Sequence, residues 1–195
     1  MFDPSDSMLQ LSATKNGNTA SLLSHSQTIR LLIAPRALVC KSTTIEGDVQ
    51  IGNGTVVHVG ASIIARNGPI VIGSNNIINE RAVITNLHST PLTIGDDNLI
   101  ETEARVEGRG MGHRNTIHVR ARVAGMSTLG NNCVVGVLCS TGPADSIPDN
   151  TVLFGSPQSQ RTRTDNPSEH LAAHRKHLEY IHEMLPRYNH IIEAD

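Results

Sequence analysis

An aliphatic residue recurs every six positions along most of the chain. The spacing runs without error over residues 33–63, resumes at Ile72 after three additional residues, resumes again at Ile94, and holds over residues 111–153. A period of six fits neither the 3.6-residue α-helix nor the two-residue alternation of a half-buried strand. Such a fixed repeat predicts a solenoid, in which each unit buries its apolar face against the next unit. The repeated positions are Ile33, Val39, Ile45, Ile51, Val57, Ile63, Ile72, Ile78, Ile84, Ile94, Ile100, Val106, Met111, Ile117, Val123, Leu129, Val135, Thr141, Ile147 and Leu153.

A small residue follows most of these aliphatic residues four positions later. One large and one small inward position per hexapeptide describe a short strand and a tight corner, so three hexapeptides close one triangular coil. A glycine recurs about once per coil, at Gly52, Gly73, Gly95, Gly112 and Gly130. Asparagines follow these glycines, and we expect them at corners with left-handed backbone conformation. The small residues are Ala37, Thr43, Thr55, Ala61, Ala82, Ala104, Ala121, Ser127, Cys133, Cys139 and Thr151.

Aromatic residues are absent from the whole repeat region. The chain has no Trp, and no Phe or Tyr occurs between Asp3 and Leu153. Ordinary globular cores use aromatic rings for much of their buried area. Their absence predicts an interior too narrow for a ring, as in a parallel β-helix of about seven hexapeptide-repeat coils.

We therefore expect an all-β chain with three segments. Residues 1–27 are rich in Ser, Asn and Thr and are predicted to be a disordered N-terminal extension. Residues 28–157 are predicted to form the β-helix, and residues 158–195 a linker and an amphipathic helix. That helix should begin after Asn166 as N-cap and stop at Pro186. Its predicted apolar stripe consists of Leu171, Leu178, Ile181 and Leu185.

Charge and cysteine content exclude several classes of function. The formal net charge is −2 and no basic stripe crosses the repeats, so we expect no nucleic-acid partner. No apolar run approaches the length of a membrane span, and the first residues lack the pattern of a secretory signal. Three dispersed cysteines favour a reducing, cytoplasmic location over a disulfide scaffold.

Two segments together resemble the metal site of the γ-class carbonic anhydrases. Residues 82–88 and 91–108 are similar to the two segments that carry metal-binding histidines in that family, where three histidines from neighbouring coils and subunits hold a catalytic metal. His88 matches one of them, whereas the resemblance places Thr102 and Glu107 where the family has the other two. Thr is a poor zinc ligand, so we predict that the metal site is lost.

An altered metal site remains the alternative at this position. Glu101, Glu103 and Glu107 alternate along the same segment and could supply oxygen ligands beside His88. Alternating carboxylates on a strand more often form a solvated face. A hydratase related to the γ-class enzymes is therefore kept as an alternative function.

Hexapeptide acyltransferases provide a second resemblance. These enzymes generally use a histidine base in a cleft between subunits, and His113 and His118 are the candidates in this chain. Neither has a recognisable carboxylate to orient it in the sequence, so acyl transfer is also kept only as an alternative. Cys133 and Cys139 fall in the small inward column and are predicted to be packing residues rather than nucleophiles.

Four histidines in the C-terminal helix largely avoid its apolar stripe. They include one pair with i,i+4 spacing, which can bind a metal on a helix. We predict instead that they form a solvated helix face. They are His170, His174, His177 and His182.

The order of several segments resembles the dynactin subunit six family. Residues 33–40, 45–52 and 68–73 are similar to its opening coils, residues 147–155 to its last coil, and residues 185–190 to its terminal helix end. The motifs of the first and last coils are less specific than the combination of Gly-Pro-Ile-Val-Ile-Gly at residues 68–73 with Leu-Pro-x-Tyr at residues 185–188. The N-terminal extension and the short loop after Ile84 depart from the family pattern.

This resemblance implies a non-catalytic structural subunit of dynactin with a left-handed β-helix. The family sits in the pointed-end complex beside the β-helical subunit five, near subunit four and actin-related protein eleven. Such a protein is cytoplasmic and cytoskeleton-associated, and it supports dynein-driven microtubule transport and the attachment of cargo adaptors. Enzymes of this fold are typically homotrimers with sites between subunits.

We predict no catalytic, cofactor-binding or metal-binding residue on this chain. Three regions are candidates for contact with other subunits. They are the glutamate segment around residues 101–107, the loop around His88, and the terminal helix.

Overall fold

In a computed structural model the chain is described over residues 30–155 and 158–192. The strands are short, because each hexapeptide supplies only a few extended residues before a corner. The elements are β1 (Arg30–Ile33), β2 (Leu38–Val39), β3 (Thr44–Glu46), β4 (Asp48–Ile51), β5 (Val56–Val57), β6 (Ser62–Ala65), β7 (Ile70–Ile72), β8 (Ile77–Ile78), β9 (Val83–Asn86), β10 (Leu92–Ile94), β11 (Leu99–Ile100), β12 (Arg105–Val106), β13 (Gly110–Met111), β14 (Thr116–Ile117), β15 (Arg122–Val123), β16 (Thr128–Leu129), β17 (Val134–Val135), β18 (Ser146–Ile147), β19 (Thr151–Phe154), β20 (Ser159–Thr162) and α1 (Pro167–Tyr188).

The strands form three parallel sheets, one for each side of a triangular prism. Sheet 1 has the order β1-β4-β7-β10-β13-β16-β18, sheet 2 has β2-β5-β8-β11-β14-β17-β19-β20, and sheet 3 has β15-β12-β9-β6-β3. Within β1–β19, consecutive strands therefore belong to different sheets, and each coil stacks on the preceding one; β20 shares sheet 2 with β19. The seven strands of sheet 1 correspond to seven coils, which confirms the predicted parallel β-helix.

The repeated aliphatic residues lie in register inside the prism. In sheet 1, Ile51 pairs with Ile72, and Ile72 with Ile94, although the intervals between them differ. The extra residues are therefore accommodated outside the strands. Ile63 and Ile84 of sheet 3 pair in the same way and are fully buried. Burying an isoleucine contributes about 2 kcal/mol, and the repeat supplies such a residue on each side of nearly every coil.

A buried ladder of polar side chains runs along one inner corner of the prism. The Oδ1 atom of Asn76 accepts from the backbone N–H of Asn98 at 3.0 Å, Asn98 accepts from Asn115 at 2.8 Å, and Asn115 accepts from Cys133 at 2.7 Å. The three asparagines are at most 1% exposed. The prediction that they occupy left-handed corners is wrong, because their side chains turn inward to satisfy backbone donors of the next coil.

Left-handed corners do occur, one residue earlier in the coil or elsewhere. Asn75 and Asn132 have φ values of 56° and 55°, as expected for asparagine at a corner. Other coils place charged residues or a leucine in the same conformation. The positive-φ residues other than glycine are Arg36, Asn75, Arg81, Asp97, Glu103, Arg114, Arg120, Asn132, Leu138 and Asn150.

Helix α1 begins where the sequence predicts. The side chain of Asn166 accepts from the backbone N–H of Ser168 at 3.1 Å, and Pro167 takes the first helical position, where its missing N–H costs nothing. The predicted stop at Pro186 is wrong, since the helix continues to Tyr188. A proline removes one helical hydrogen bond and fixes φ at a helical value, which the last turn tolerates.

One stripe of α1 covers the outer face of sheet 2. Leu178, Ile181 and Leu185 of the predicted stripe are buried, whereas Leu171 is only half-buried. They pack in one cluster with residues of the first three coils, namely Cys40, Val56 and Ile77. Because the helix starts after the last coil and packs on the first coils, it runs back along the prism.

The chain after α1 reaches the first coil. The N–H of Lys41 donates to His190 O at 2.8 Å, and the N–H of Ile192 donates to Val39 O at 2.7 Å. These bonds cover β2, the edge strand of sheet 2. At the opposite edge, β20 pairs antiparallel with β19, so the segment predicted as a linker contains a strand.

The predicted disordered extension, residues 1–27, lies outside the described residues. Within residues 30–155 and 158–192, no helix has both the length and the apolar character of a membrane span.

Candidate functional site

The glutamate segment occupies the corner between sheets 2 and 3. Glu101 follows β11, Glu103 holds the left-handed corner with φ of 60°, and Glu107 follows β12. Because each coil repeats this corner, a side chain here can contact its counterparts one coil above and below. All three carboxylates make such contacts.

Glu101 pairs with His118 of the next coil. The distance between His118 Nδ1 and Glu101 Oε2 is 3.0 Å, and the backbone N–H of Val119 donates to the same oxygen at 3.0 Å. The prediction that His118 lacks an orienting carboxylate is therefore wrong. His113 Nδ1 accepts from the backbone N–H of Asp96 at 2.9 Å and also lies 3.2 Å from Asp96 Oδ2.

These histidine–carboxylate pairs have a sequence signal that the analysis missed. In both pairs the histidine follows the carboxylate by 17 residues, because 118 − 101 and 113 − 96 both equal 17. That number is the length of the local coil, so the two residues stack. A histidine oriented by a carboxylate can act as a general base, but it can equally be a link between coils.

Glu103 and Glu107 pair with arginines. Glu103 lies between Arg81, at 2.9 Å, and Arg120, at 2.5 Å. Hydrogen bonding from Arg120, with the charges of both arginines, lowers the pKa of Glu103. Glu107 accepts from Arg122 at 3.0 Å. Both carboxylates are thus engaged by guanidinium groups.

His88 lies in the loop after β9 and makes one contact through its backbone and one through its ring. Its N–H donates to Asn86 Oδ1 at 2.9 Å, and its Nε2 lies 3.2 Å from Gly125 O. The side chain of Asn86 is fully buried and holds the loop by donating to Pro69 O and Thr90 O, each at 2.9 Å. His88 is half-buried, as the sequence analysis expects of a loop histidine.

Within the single chain, the three positions matched to a metal site contact other groups. Thr102 Oγ1 contacts Glu80 Oε2 at 3.4 Å, Glu107 binds Arg122, and His88 faces Gly125. Among the described residues, no group of three or more His, Cys, Asp or Glu side chains could hold a metal ion. The donor set present at these positions therefore does not fit the metal of the γ-class enzymes.

His58 is a buried titratable group that the sequence analysis did not single out. Its Nδ1 lies 3.2 Å from Glu80 Oε1, and its Nε2 is buried without a hydrogen-bond partner among the described residues. Burial lowers the pKa of His58 more than the Glu80 carboxylate raises it. The neutral ring is therefore favoured at this position.

The histidines of α1 only partly form the predicted solvated face. His170 and His177 are exposed, and His170 contacts Asp165. That prediction is wrong for His174 and His182, which contact the backbone carbonyls of Asn75 at 2.7 Å and Gly54 at 3.0 Å. Both carbonyls belong to left-handed corners, and these corners lie in adjacent coils.

A groove separates the first turns of α1 from sheet 2 and has a volume of about 320 Å³. Its walls carry Arg114, Arg163 and the exposed histidines of the helix, with Asp97 opposite. Neither His118 nor Glu101 lines this groove, so the candidate base is not placed at a cavity there.

The buried cysteines are packing residues, as predicted. Cys133 and Cys139 are 0% and 6% exposed, and Cys40 is 1% exposed. Burial raises the pKa of the Cys133 thiol, which lies 3.1 Å from Pro148 O as a donor. A protonated thiol inside the prism is a poor nucleophile.

Three relatives match the chain over most of its length. Dynactin subunit 6 of Xenopus tropicalis is 35% identical over 170 residues, covering 82% of this chain and 83% of that protein. The Danio rerio protein of the same name is 36% identical, with coverages of 82% and 86%, and that of Dictyostelium discoideum is 31% identical, with 81% and 86%. No protein-family profile matches the chain.

Solved structures with the same fold come from transferases. A hexapeptide transferase family protein from Anaplasma phagocytophilum superimposes with a TM-score of 0.70 at 15% identity, covering 82% of this chain and 93% of that one. The N-acyltransferase AntD from Bacillus cereus has a TM-score of 0.61 at 14% identity, with coverages of 82% and 91%. At this identity the similarity shows the fold alone, the left-handed β-helix of hexapeptide repeats.

Proposed function

The chain belongs to the dynactin subunit 6 family, and we propose that it is a non-catalytic structural subunit of dynactin. The observation that carries the proposal is the match to five relatives of that name at 31–36% identity over more than 80% of the chain. A match of this length extends over many coils, so it is not a similarity of a single repeat.

The geometry supports a role in binding rather than catalysis. The polar side chains around the former metal site contact neighbouring coils: Glu101 binds His118, Glu103 binds two arginines, and Glu107 binds Arg122. Each of these contacts joins side chains of successive coils. The result is a stiff rod with three faces, a shape suited to spanning and aligning other proteins.

We further propose the position that the family resemblance implies. The chain would lie in the pointed-end complex beside the β-helical subunit five, near subunit four and actin-related protein eleven. In that place it would be part of a cytoplasmic, cytoskeleton-associated assembly and would support dynein-driven transport and cargo-adaptor attachment. Helix α1 packs on sheet 2, so it leaves the described parts of sheets 1 and 3 available for such contacts.

A pull-down from native cytosol tests the proposal. The tagged full-length chain should recover the other dynactin subunits in constant ratio, and they should co-sediment with it as one large particle. The control is the Ile84→Asp variant, which places a charge in the fully buried core and should abolish recovery by unfolding the coils. Recovery of no dynactin subunit by a folded, unmodified chain would contradict the proposal.

Acyl transfer or hydration remains the competing function because of the pair formed by His118 and Glu101. Purified chain should hydrate carbon dioxide no faster than buffer and should transfer no acetyl group from acetyl-coenzyme A to amino sugars. Activity that disappears in the His118→Ala variant would establish an enzyme and reject the structural role as the sole function.

A further inference from the structure

Four arginines and one glutamate line a shallow cleft on the corner between sheets 2 and 3. We name the arginines Arg81, Arg105, Arg120 and Arg122 the arginine ridge, and Glu103 lies among them. They come from the third, fourth and fifth coils, so they form a strip along the prism. Helix α1 covers sheet 2 and leaves this corner exposed.

The outer layer of this strip is cationic. The side chains of Arg81 and Arg120 are 68% and 63% exposed, while Glu103 between them is 28% exposed. Arg122 is 52% exposed and its partner Glu107 is 14% exposed. Carboxylates thus lie beneath guanidinium groups, and a molecule approaching the corner meets the arginines first. The nearby Glu80 and Glu101 are engaged by His58 and His118.

Arg105 and Arg122 are direct neighbours in sheet 3. The parallel register pairs them residue to residue, and like charges in directly paired positions destabilise a sheet. Arg122 is compensated by Glu107. Arg105 is exposed, and within the described part of the chain its guanidinium has no hydrogen-bond or ion-pair partner. The described part of the fold therefore presents this guanidinium without a compensating carboxylate.

An exposed leucine continues the strip in the next coil. Leu138 follows Arg120 by 18 residues, has φ of 61° and is 72% exposed. A left-handed conformation is unfavourable for a bulky residue, and the same corner carries Gly60 in the second coil. Val119 and Val137 beside it are 37% and 58% exposed. Neither the backbone nor the core benefits from leucine at this corner.

We propose that the arginine ridge and the apolar group Leu138, Val119 and Val137 form a docking surface for another dynactin subunit. The occupant is a protein surface with carboxylates opposite the ridge and an apolar depression opposite Leu138. The proposal rests on the proposed function, because the partner is sought within dynactin. Arginine is enriched at protein interfaces, and their buried centres are more apolar than the remaining surface, whereas carboxylates beneath the arginines weaken attraction to a polyanion.

Two variants test the surface without disturbing the coils. Leu138→Asn removes the apolar group and supplies a residue that adopts left-handed conformation more easily, so the melting temperature should stay unchanged or rise. Arg105→Glu reverses a charge that has no partner among residues 30–155 and 158–192. Each should reduce recovery of dynactin subunits about tenfold, and the effect of Arg105→Glu should weaken in high salt. Arg109→Glu, the same charge change at the exposed corner between sheets 3 and 1, is the matched control and should recover dynactin normally.

The outcomes separate the two proposals. If the unmodified chain recovers no dynactin, the proposed function fails and the surface has no partner of this kind. If it recovers dynactin and both variants do so equally well, the docking surface is rejected while the function stands. If light scattering shows that the isolated chain forms oligomers that Arg105→Glu dissociates, the surface joins copies of this chain and the proposal is overturned. A lower melting temperature for Leu138→Asn would assign Leu138 a role in folding instead.

Discussion

Replacing Asn98 by alanine should destabilise the β-helix strongly, although Asn98 lies far from any proposed site. Its Oδ1 accepts the backbone N–H of Asn115, and its Nδ2 donates to Asn76 Oδ1 at 3.0 Å. Both bonds are buried, and they join the third, fourth and fifth coils. Alanine keeps the backbone unchanged and removes only these polar atoms.

The magnitude follows from the groups that remain. The N–H of Asn115 would be buried without an acceptor, which costs about 1–3 kcal/mol, and the lost side-chain hydrogen bond adds roughly 1 kcal/mol. Asn76 Oδ1 still accepts from the backbone N–H of residue 98. The sum is about 3 kcal/mol, which for a chain of this length corresponds to a fall in melting temperature of roughly 6–12 °C.

Thermal unfolding monitored by circular dichroism measures this fall, and Asn131→Ala is the control. Asn131 accepts a backbone N–H from His113 at 2.8 Å in the same way, but this bond is exposed. Water can replace the lost acceptor there, so we expect a loss of less than about 1 kcal/mol. The pair of variants thus isolates the effect of burial from the effect of the amide.

Equal melting temperatures for the two alanine variants would refute the reasoning. That result would mean that the inner corner admits water, or that the coils shift to supply another acceptor. A larger loss for Asn131→Ala would place the main polar links on the outside of the prism instead.

Two further predictions concern His58 and the end of the chain. Burial lowers the pKa of His58 from its ordinary value of 6.5. Below that value the unfolded chain binds a proton more readily than the folded chain, so stability is lost as the pH falls towards the folded-state pKa. The free energy of unfolding in urea should therefore fall from pH 7 to pH 5.5 by less in His58→Gln than in the unmodified chain, and equal falls would contradict this. Ile192 packs against the main core, so Ile192→Asp should lower the melting temperature by several degrees, corresponding to about 2 kcal/mol. His190→Ala should not, because His190 contributes its backbone carbonyl, and equal effects of the two substitutions would show that the tail does not cover the first coil.

The prism could be predicted from the sequence because its core depends on one short-range rule. A residue such as Ile84 needs only to be aliphatic and six positions from its neighbours in the chain, and the stacking of coils then places Ile63 and Val106 beside it. Insertions do not change the register of the strands, because the extra residues are accommodated at the corners. Periodicity of this kind is read directly from the chain.

The polar contacts were harder to predict because they depend on shifts of a single residue. Asn75 turns a left-handed corner while Asn76 points into the ladder, and both are asparagines after the same glycine. Pairing of Glu101 with His118 is visible only when the local coil length is known to be 17 rather than 18. Composition alone does not distinguish these positions.

The face of the prism on which α1 packs could not be predicted from the apolar stripe of the helix. The stripe of Leu178, Ile181 and Leu185 indicated that one side is buried, but not which of three similar faces receives it. Contacts from His174 and His182 to corner carbonyls help to select sheet 2. Such acceptors become identifiable only after the coils are in place.

The return of the C-terminal segment to β2 changes how the rod can come apart. A solenoid normally frays at its terminal units, since each of these has a neighbour on one side only. Here residues 190–192 form hydrogen bonds with the first coil. The same segment is connected through α1 to β20, which pairs with β19 of the last coil. Unfolding from the N-terminal end therefore requires residues 190–192 to dissociate from the first coil. The chain should lose its structure in one concerted transition rather than coil by coil.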